Sequence, residues 1–361
     1  MNQYFERIKK VRKLISSDNE ALLISSNANV YYFTGFNNSE GTVLITRDKA
    51  YMFVDFRYIE TAKNIVNSCE VIMYNSILEE INLILSENKI DKIYIESKNL
   101  TVYKLNNLKK SLAKINANVV SNEVLDNKIE NLRVIKSTLE IEYIQKAQEI
   151  TEKAYNDILP LIKPGVYEKD IALELEYRMK KYGAEDVSFD LITITGTKTS
   201  LPHGVPSDKV INQGDFFTMD IGSLYKGYHS DMTRTVAVGK ISDEQKKVYD
   251  IVYNAQMSAL ESVCAGNSCF NIDKTARDII TNAGFGKCFG HATGHGVGLD
   301  IHENPSVSPR SDTILSEGMV ITIEPGIYIE NKFGVRIEDM VLVTDKGYKN
   351  FVNIPKELNI L

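Results

Sequence analysis

Two acids raise the first chemical question. The segment MDIGSLYKGYHSDMTRT, residues 219–235, sets Asp220 and Asp231 among strand-forming and apolar residues. LYKG is the only turn signal between them, so the segment is predicted to be a hairpin. A two-residue turn at Tyr225-Lys226 would put the acids directly opposite each other. A turn at Lys226-Gly227 would make them diagonal neighbours on one face. Like charges so placed destabilise a strand pair unless they share a proton or hold a cation. A second hairpin repeats the theme: Glu324 ends MVITIE just before Pro325, and Glu338 lies in GVRIEDMVLV. Alternation does not choose Glu338 over Asp339, because both faces of that strand are apolar.

All five histidines fall between positions 203 and 302. His203 sits in the turn-rich LPHGVP; His291, His295 and His302 lie in FGHATGHGVGLDIHE, whose glycines let backbone pass close to whatever His295 binds. His229 shares a strand face with Asp231 by parity and is read as a partly exposed hairpin histidine without a role. Two Asp, two Glu and at least one His suit a pair of divalent cations ~3.5–4 Å apart, a device that makes hydroxide at neutral pH and polarises a carbonyl. Oxygen-rich ligation with an imidazole favours Mn²⁺, Fe²⁺, Co²⁺ or Zn²⁺, and the carboxylate excess leans towards Mn²⁺. Calcium or magnesium would normally recruit no histidine.

The elements that must position these groups fall into two parts. In the first part, ALLIS (21–25), GTVLIT (41–46), AYMFVD (50–55) and DKIYIE (91–96) read as strands, with a hairpin at RDK and a helix in SILEEINLILSENK. This is an α/β domain without a histidine. A boundary is expected in the polar stretch DNKIENLRVIKS, giving domains 1–128 and 129–361. Beyond it, Ser137-x-x-Glu140 is a capping box that opens a helix ending at KPG. Further helices are expected over 168–182 and from Ser242 to about Gly266. Strand pairs are expected in FFTMDIGSLY with YHSDMTRTVAVG, and in MVITIEP with GVRIEDMVLV, so the second part is α+β.

Bulk composition narrows the partners. Lys plus Arg number 42 against 48 Asp plus Glu, a formal net charge of -6, which argues against nucleic acid. No apolar run approaches the ~20 residues of a membrane span, and the N-terminal residues read as an amphipathic helix rather than a signal peptide. Four cysteines without metal-ligand spacing suit free thiols in a reducing cytoplasm.

Taken in order and spacing, MDIG…SDMTRT, TGHGVGLDIHE, ITIEPGIY and GVRIEDMVLV resemble the pita-bread metallopeptidases, which include methionine aminopeptidase, aminopeptidase P, prolidase and creatinase. The resemblance covers about 130–361. The N-terminal part resembles, by position and α/β character, the non-catalytic domain that methionine aminopeptidase lacks. The implied architecture is an α/β creatinase-type N-terminal domain followed by an α+β pita-bread (creatinase/methionine-aminopeptidase-like) catalytic domain. The resemblance implies that Asp220 chelates one metal, that Asp231 and Glu338 bridge both, and that His295 and Glu324 complete the other site. It implies water activated between the metals, with Glu324 as proton shuttle. His203, His291 and His302 match the proline-specific branch, where they orient substrate, and Arg336 with Tyr328 matches a set that steadies Asp220. A homodimer is the implied assembly.

The activity this implies is hydrolysis of the bond between an N-terminal residue and a following proline. Prolidases resembling the chain often carry an arginine just after HE-x-P, or three residues before the ligand histidine. Here those positions hold Ser306 and Ala292, with Arg310 nearby, which tilts the expectation to aminopeptidase P. The alternative is an Xaa-Pro dipeptidase; a more remote one is an inactive pita-bread binding module.

Overall fold

The computed structural model describes residues 3–37 and 40–361 and divides after Arg133 into two compact units. The first unit is a six-stranded mixed sheet in the order 70–73, 50–54, 42–45, 20–24, 92–95, 118–120. The hairpin at Arg47-Asp48-Lys49 forms as expected: Thr42–Ile45 runs antiparallel to Ala50–Val54, and the Thr46 N–H donates to the Lys49 carbonyl. Leu23, Leu44, Phe53 and Ile93 pack against Ile81, Ile84 and Leu85 of the helix Ile77–Glu87. The division falls inside the polar stretch DNKIENLRVIKS, most of which is helical. The helix is Val124–Val134, whose buried Leu125 and Ile129 recur at helical spacing. Its Asp126 is also buried, because its carboxylate accepts the Ser97 and Lys98 N–H groups.

The second unit, from Val134, is built from helices and antiparallel sheets. Both capping boxes form, Ser137 with Glu140 and Ser242 with Gln245, opening the helices Thr138–Ile158 and Asp243–Glu261. Two cores result. In one, Ile150, Ala154, Ile158, Ile171 and Leu175 cover Phe217, Met219, Ile221, Met232 and Val236. In the other, Val248, Val252, Ala255, Ile272, Ala276 and Ile280 cover Ile321, Ile323, Val341 and Val343. The helix Cys269–Asn282, absent from the expectations above, supplies part of the second core.

Each long hairpin is split into two sheets at its acids. Phe216–Ile221 pairs with Met232–Ala237 in one sheet, and Ser223–Tyr225 with Tyr228–His229 in another. Val320–Ile323 pairs with Asp339–Thr344 and Gly326–Ile329 with Arg336–Phe333, again in separate sheets. Among the described residues no helix is long and apolar enough to cross a membrane.

Candidate metal centre

The first hairpin turns at Lys226-Gly227, both in the left-handed region with φ of 50° and 73°, as a two-residue hairpin turn demands. Asp220 therefore faces Thr233 across the ladder, and Asp231 stands diagonal to it on the same face. Of the two expected geometries, the diagonal one holds. Strand alternation explains the direction: it buries Phe217, Met219 and Ile221 against the helices and turns Asp220 the other way. At the break, a Cβ on Gly222 would run into the Ser230 carbonyl, so glycine is required there. In the second hairpin Ile323 faces Asp339 and Gly326 faces Arg336, which sets Glu324 opposite Glu338.

The ambiguity between Glu338 and Asp339 resolves electrostatically. Asp339 is buried but matched: it accepts from Arg234 Nη2 at 2.8 Å, Lys356 Nζ at 2.7 Å and Asn350 Nδ2 at 2.7 Å. Arg234 and Lys356 hold its carboxyl below the usual range despite burial. Arg234 also donates to the carbonyls of Thr233, Glu338, Ile354 and Pro355. Among the described residues no cation hydrogen-bonds or ion-pairs with the Glu338 carboxylate, which clusters with Asp231 and His295.

Ligand atoms of Asp231, His295 and Glu338 lie within 4.8 Å of one another. His295 Nε2 is 3.5 Å from Asp231 Oδ2 and 3.3 Å from Glu324 Oε1. Its Nδ1 faces the Gly296 carbonyl at 3.1 Å, which fixes the proton on Nδ1 and leaves Nε2 as the free lone pair. Burial, reinforced by His302, lowers the His295 pKa to about 4, so the ring is neutral near pH 7. The acids move the opposite way. Burial pushes Glu324 up to about 8, with Asp220 adding to the effect. Asp231 and Glu338 rise well above the carboxylate range through burial and then through neighbouring acids, Glu338 acting on Asp231 and Glu324 on Glu338.

Asp220 is joined to Arg336, whose Nη2 donates to its Oδ2 at 2.6 Å. Arg336 Nη1 donates to the Tyr328 hydroxyl at 2.8 Å and to the Pro202 carbonyl at 3.3 Å. His291 Nδ1 lies 2.7 Å from the Ala292 carbonyl, so Nε2 accepts the Tyr328 proton at 2.9 Å. Arg336, Tyr328 and His291 thus form one chain leading from Asp220. His203 is exposed in the loop beside Pro202, and exposed His302 packs edge-on against His295, ring centroids 4.3 Å apart. His229 is half-buried, with Nδ1 3.2 Å from Ser188 Oγ.

The donor set fits divalent metal. Asp220 Oδ1, Asp231 Oδ1 and Glu338 Oε1 are buried and make no hydrogen bond among the described residues. Buried carboxylate oxygens are rarely left so, because the desolvation cost is uncompensated. Two of them, from Asp231 and Glu338, belong to side chains clustered with a neutral imidazole, the protonation state that metal ligation requires.

Sequence reasoning missed several residues that hold these groups. Asp273, buried in the helix Cys269–Asn282, accepts the Thr293 N–H and hydroxyl, and Arg277 one turn later donates to the Phe289 and His291 carbonyls. Ile272, Ala276 and Ile280 at four-residue spacing were the available signal for that helix. Arg234 carried none beyond being a charge inside an apolar strand.

Residues 142–345 match metallopeptidase family M24, and residues 7–135 match the creatinase/prolidase N-terminal domain. The chain is 40% identical to the Xaa-Pro dipeptidase of Pyrococcus horikoshii, the alignment covering 98% of each. Its fold matches that of an Xaa-Pro dipeptidase from Bacillus anthracis with a TM-score of 0.94 at 40% identity, over 99% of this chain and all of that one. An X-Pro aminopeptidase from Thermotoga maritima matches with a TM-score of 0.90 at 35% identity, over 97% and 99%. The chain, with its two carboxylate-bearing hairpins, belongs to metallopeptidase family M24 and carries a creatinase/prolidase-type N-terminal domain.

Proposed function

We propose that the chain is an Xaa-Pro dipeptidase that works with two divalent metal ions. The observation that carries the metal reading is the clustering of Asp231, Glu338 and His295, with a buried carboxylate oxygen on each acid that meets no hydrogen-bond partner among the described residues. The substrate reading rests on relatives: those named Xaa-Pro dipeptidases match at 40% identity over nearly the whole chain. That favours the alternative over the aminopeptidase P expectation raised by Ser306 and Ala292. A complete donor set also speaks against an inactive binding module.

In this reading Asp220, Asp231, His295, Glu324 and Glu338 hold the ions, with Mn²⁺ favoured by the carboxylate excess. Bound metal would supply activated water and a polarised scissile carbonyl. The chain's own groups do the rest. The Glu324 carboxylate, 3.3 Å from His295 Nε2, would serve as the proton shuttle that the family resemblance implies. Arg336 holds Asp220 in orientation, and through Tyr328 it holds His291. His203 and His302, exposed beside the centre, receive the peptide around its proline, whose tertiary amide donates no hydrogen bond. A homodimer follows from the family resemblance, and four free cysteines support a cytoplasmic location.

The test uses chain stripped with EDTA and reloaded with Mn²⁺, Co²⁺ or Zn²⁺, assayed on an Xaa-Pro dipeptide and the matching Xaa-Pro-Yaa tripeptide. Metal-dependent cleavage with higher kcat/KM on the dipeptide is expected. Preference for the tripeptide would reinstate aminopeptidase P, and cleavage of neither would refute the assignment.

A further inference from the structure

Two threonines occupy equivalent places beside the glutamates. Thr233, in Met232–Ala237, donates from Oγ1 to Glu338 Oε2 at 2.6 Å and accepts from Arg336 Nε at 3.1 Å. Thr322, in Val320–Ile323, donates from Oγ1 to Glu324 Oε1 at 3.2 Å and accepts from the His295 backbone N–H at 3.1 Å. Both are fully buried. A guanidinium Nε–H and a backbone N–H can only donate, so each hydroxyl must accept on that side. Its one proton then has a single direction left, towards the glutamate.

We propose that Thr233 and Thr322 are paired positioning residues, each pinning one oxygen of a metal-holding glutamate so that the carboxylate faces the ions in one orientation. At Glu338 the consequence is visible: Oε2 is engaged by Thr233 while Oε1 is buried without a partner. The two hydroxyls also join the metal ligands to their supports, Glu338 to Arg336 and Glu324 to the His295 strand. This inference rests on the reading of Glu324 and Glu338 as ligands, not on the identity of the substrate.

The experiment titrates Mn²⁺ into the EDTA-stripped chain by calorimetry, for the parent, T233V, T322V, T233S and T322S, with thermal melting of each metal-free protein alongside. Valine keeps the shape and deletes the hydroxyl; serine keeps the hydroxyl. Supporting partners of metal ligands are typically worth about 10–100-fold in affinity, and each valine variant is expected to lose that much while serine stays near the parent. If a valine variant fails to fold, alanine against serine gives the same comparison, since both lack the methyl. Valine variants that bind like the parent, or serine variants as weak as valine, overturn the proposal. A parent that binds no divalent ion overturns it together with the metal reading. Hydroxyl-dependent binding without Xaa-Pro cleavage supports the pair and removes only the substrate assignment.

Discussion

Metal-free protein should lose stability as pH rises from about 6.5 to 8. Glu324 in the folded chain titrates at about 8, against an ordinary value of 4.5, so between these values the folded state holds a proton that the unfolded state has released. Stability from such a group is fully present below the ordinary value and is lost as pH climbs through the folded one. Each such proton gives a slope of about 1.4 kcal/mol per pH unit. Asp231 and Glu338 shift in the same direction and add to it. Buried His291 and His295 act oppositely, both lowered to about 4 from 6.5, so their contribution still grows at half its full slope at pH 6.5 and is nearly complete by about pH 7.5. Cys69 and Cys269, raised to about 11 from 9.0, add a similar loss only at higher pH. The histidines therefore offset part of the loss near pH 6.5, and the upper part of the window, from about 7.5 to 8, isolates the acids. At about 2–4 °C per kcal/mol for a unit of this size, one proton gives roughly 3–6 °C per pH unit. Differential scanning calorimetry in EDTA, read on the transition of the second unit, measures it. Saturating Mn²⁺ should abolish the slope, because ligation needs the acids deprotonated. A Tm that is flat or rising across the window without metal would refute the reasoning.

Three further outcomes follow from other contacts. Asp231→Ala or His295→Ala should abolish metal-dependent cleavage of an Xaa-Pro substrate while circular dichroism stays unchanged; full activity in either would contradict the ligand assignment. Arg234→Met leaves Asp339 and several carbonyls short of their buried donor, and urea titration should show a loss of about 3–5 kcal/mol. A loss under 1 kcal/mol would mean that Lys356 suffices. Ser306 is exposed and pairs with His295 across adjacent strands, so Ser306→Arg would set a cation beside the centre. Its expected effect is a roughly tenfold or greater rise in kcat/KM for dipeptide relative to tripeptide, as a new charge-assisted hydrogen bond to the proline carboxylate would give. An unchanged ratio would place that carboxylate elsewhere.

The candidate centre was legible because its acids interrupt apolar strands, where a charge needs a partner. What alternation could not supply was direction. It left Glu338 and Asp339 equivalent, and only the distant Arg234 and Lys356, brought together by tertiary folding, separate them. It also left two turns open, and the positive φ at Lys226 and Gly227 selects one. Thr233 and Thr322 look like ordinary strand formers. Their one signal was parity, each two residues from an acid, Asp231 or Glu324. Of Val124–Val134 only the polarity was legible, because its charged residues outnumber Leu125 and Ile129, although those two seat a helix.

The segment 354–361 returns to the strand that follows Asp231. Ile354 and Pro355 offer carbonyls to Arg234, Ala237 donates to Asn359, and Leu361 donates back to Ala237. A polypeptide emerging from the ribosome exposes Met232–Ala237 more than a hundred residues before these closing partners exist. The half-made centre must wait with like charges side by side, so the nascent chain is the form in which a holding chaperone or an early-bound ion would matter most.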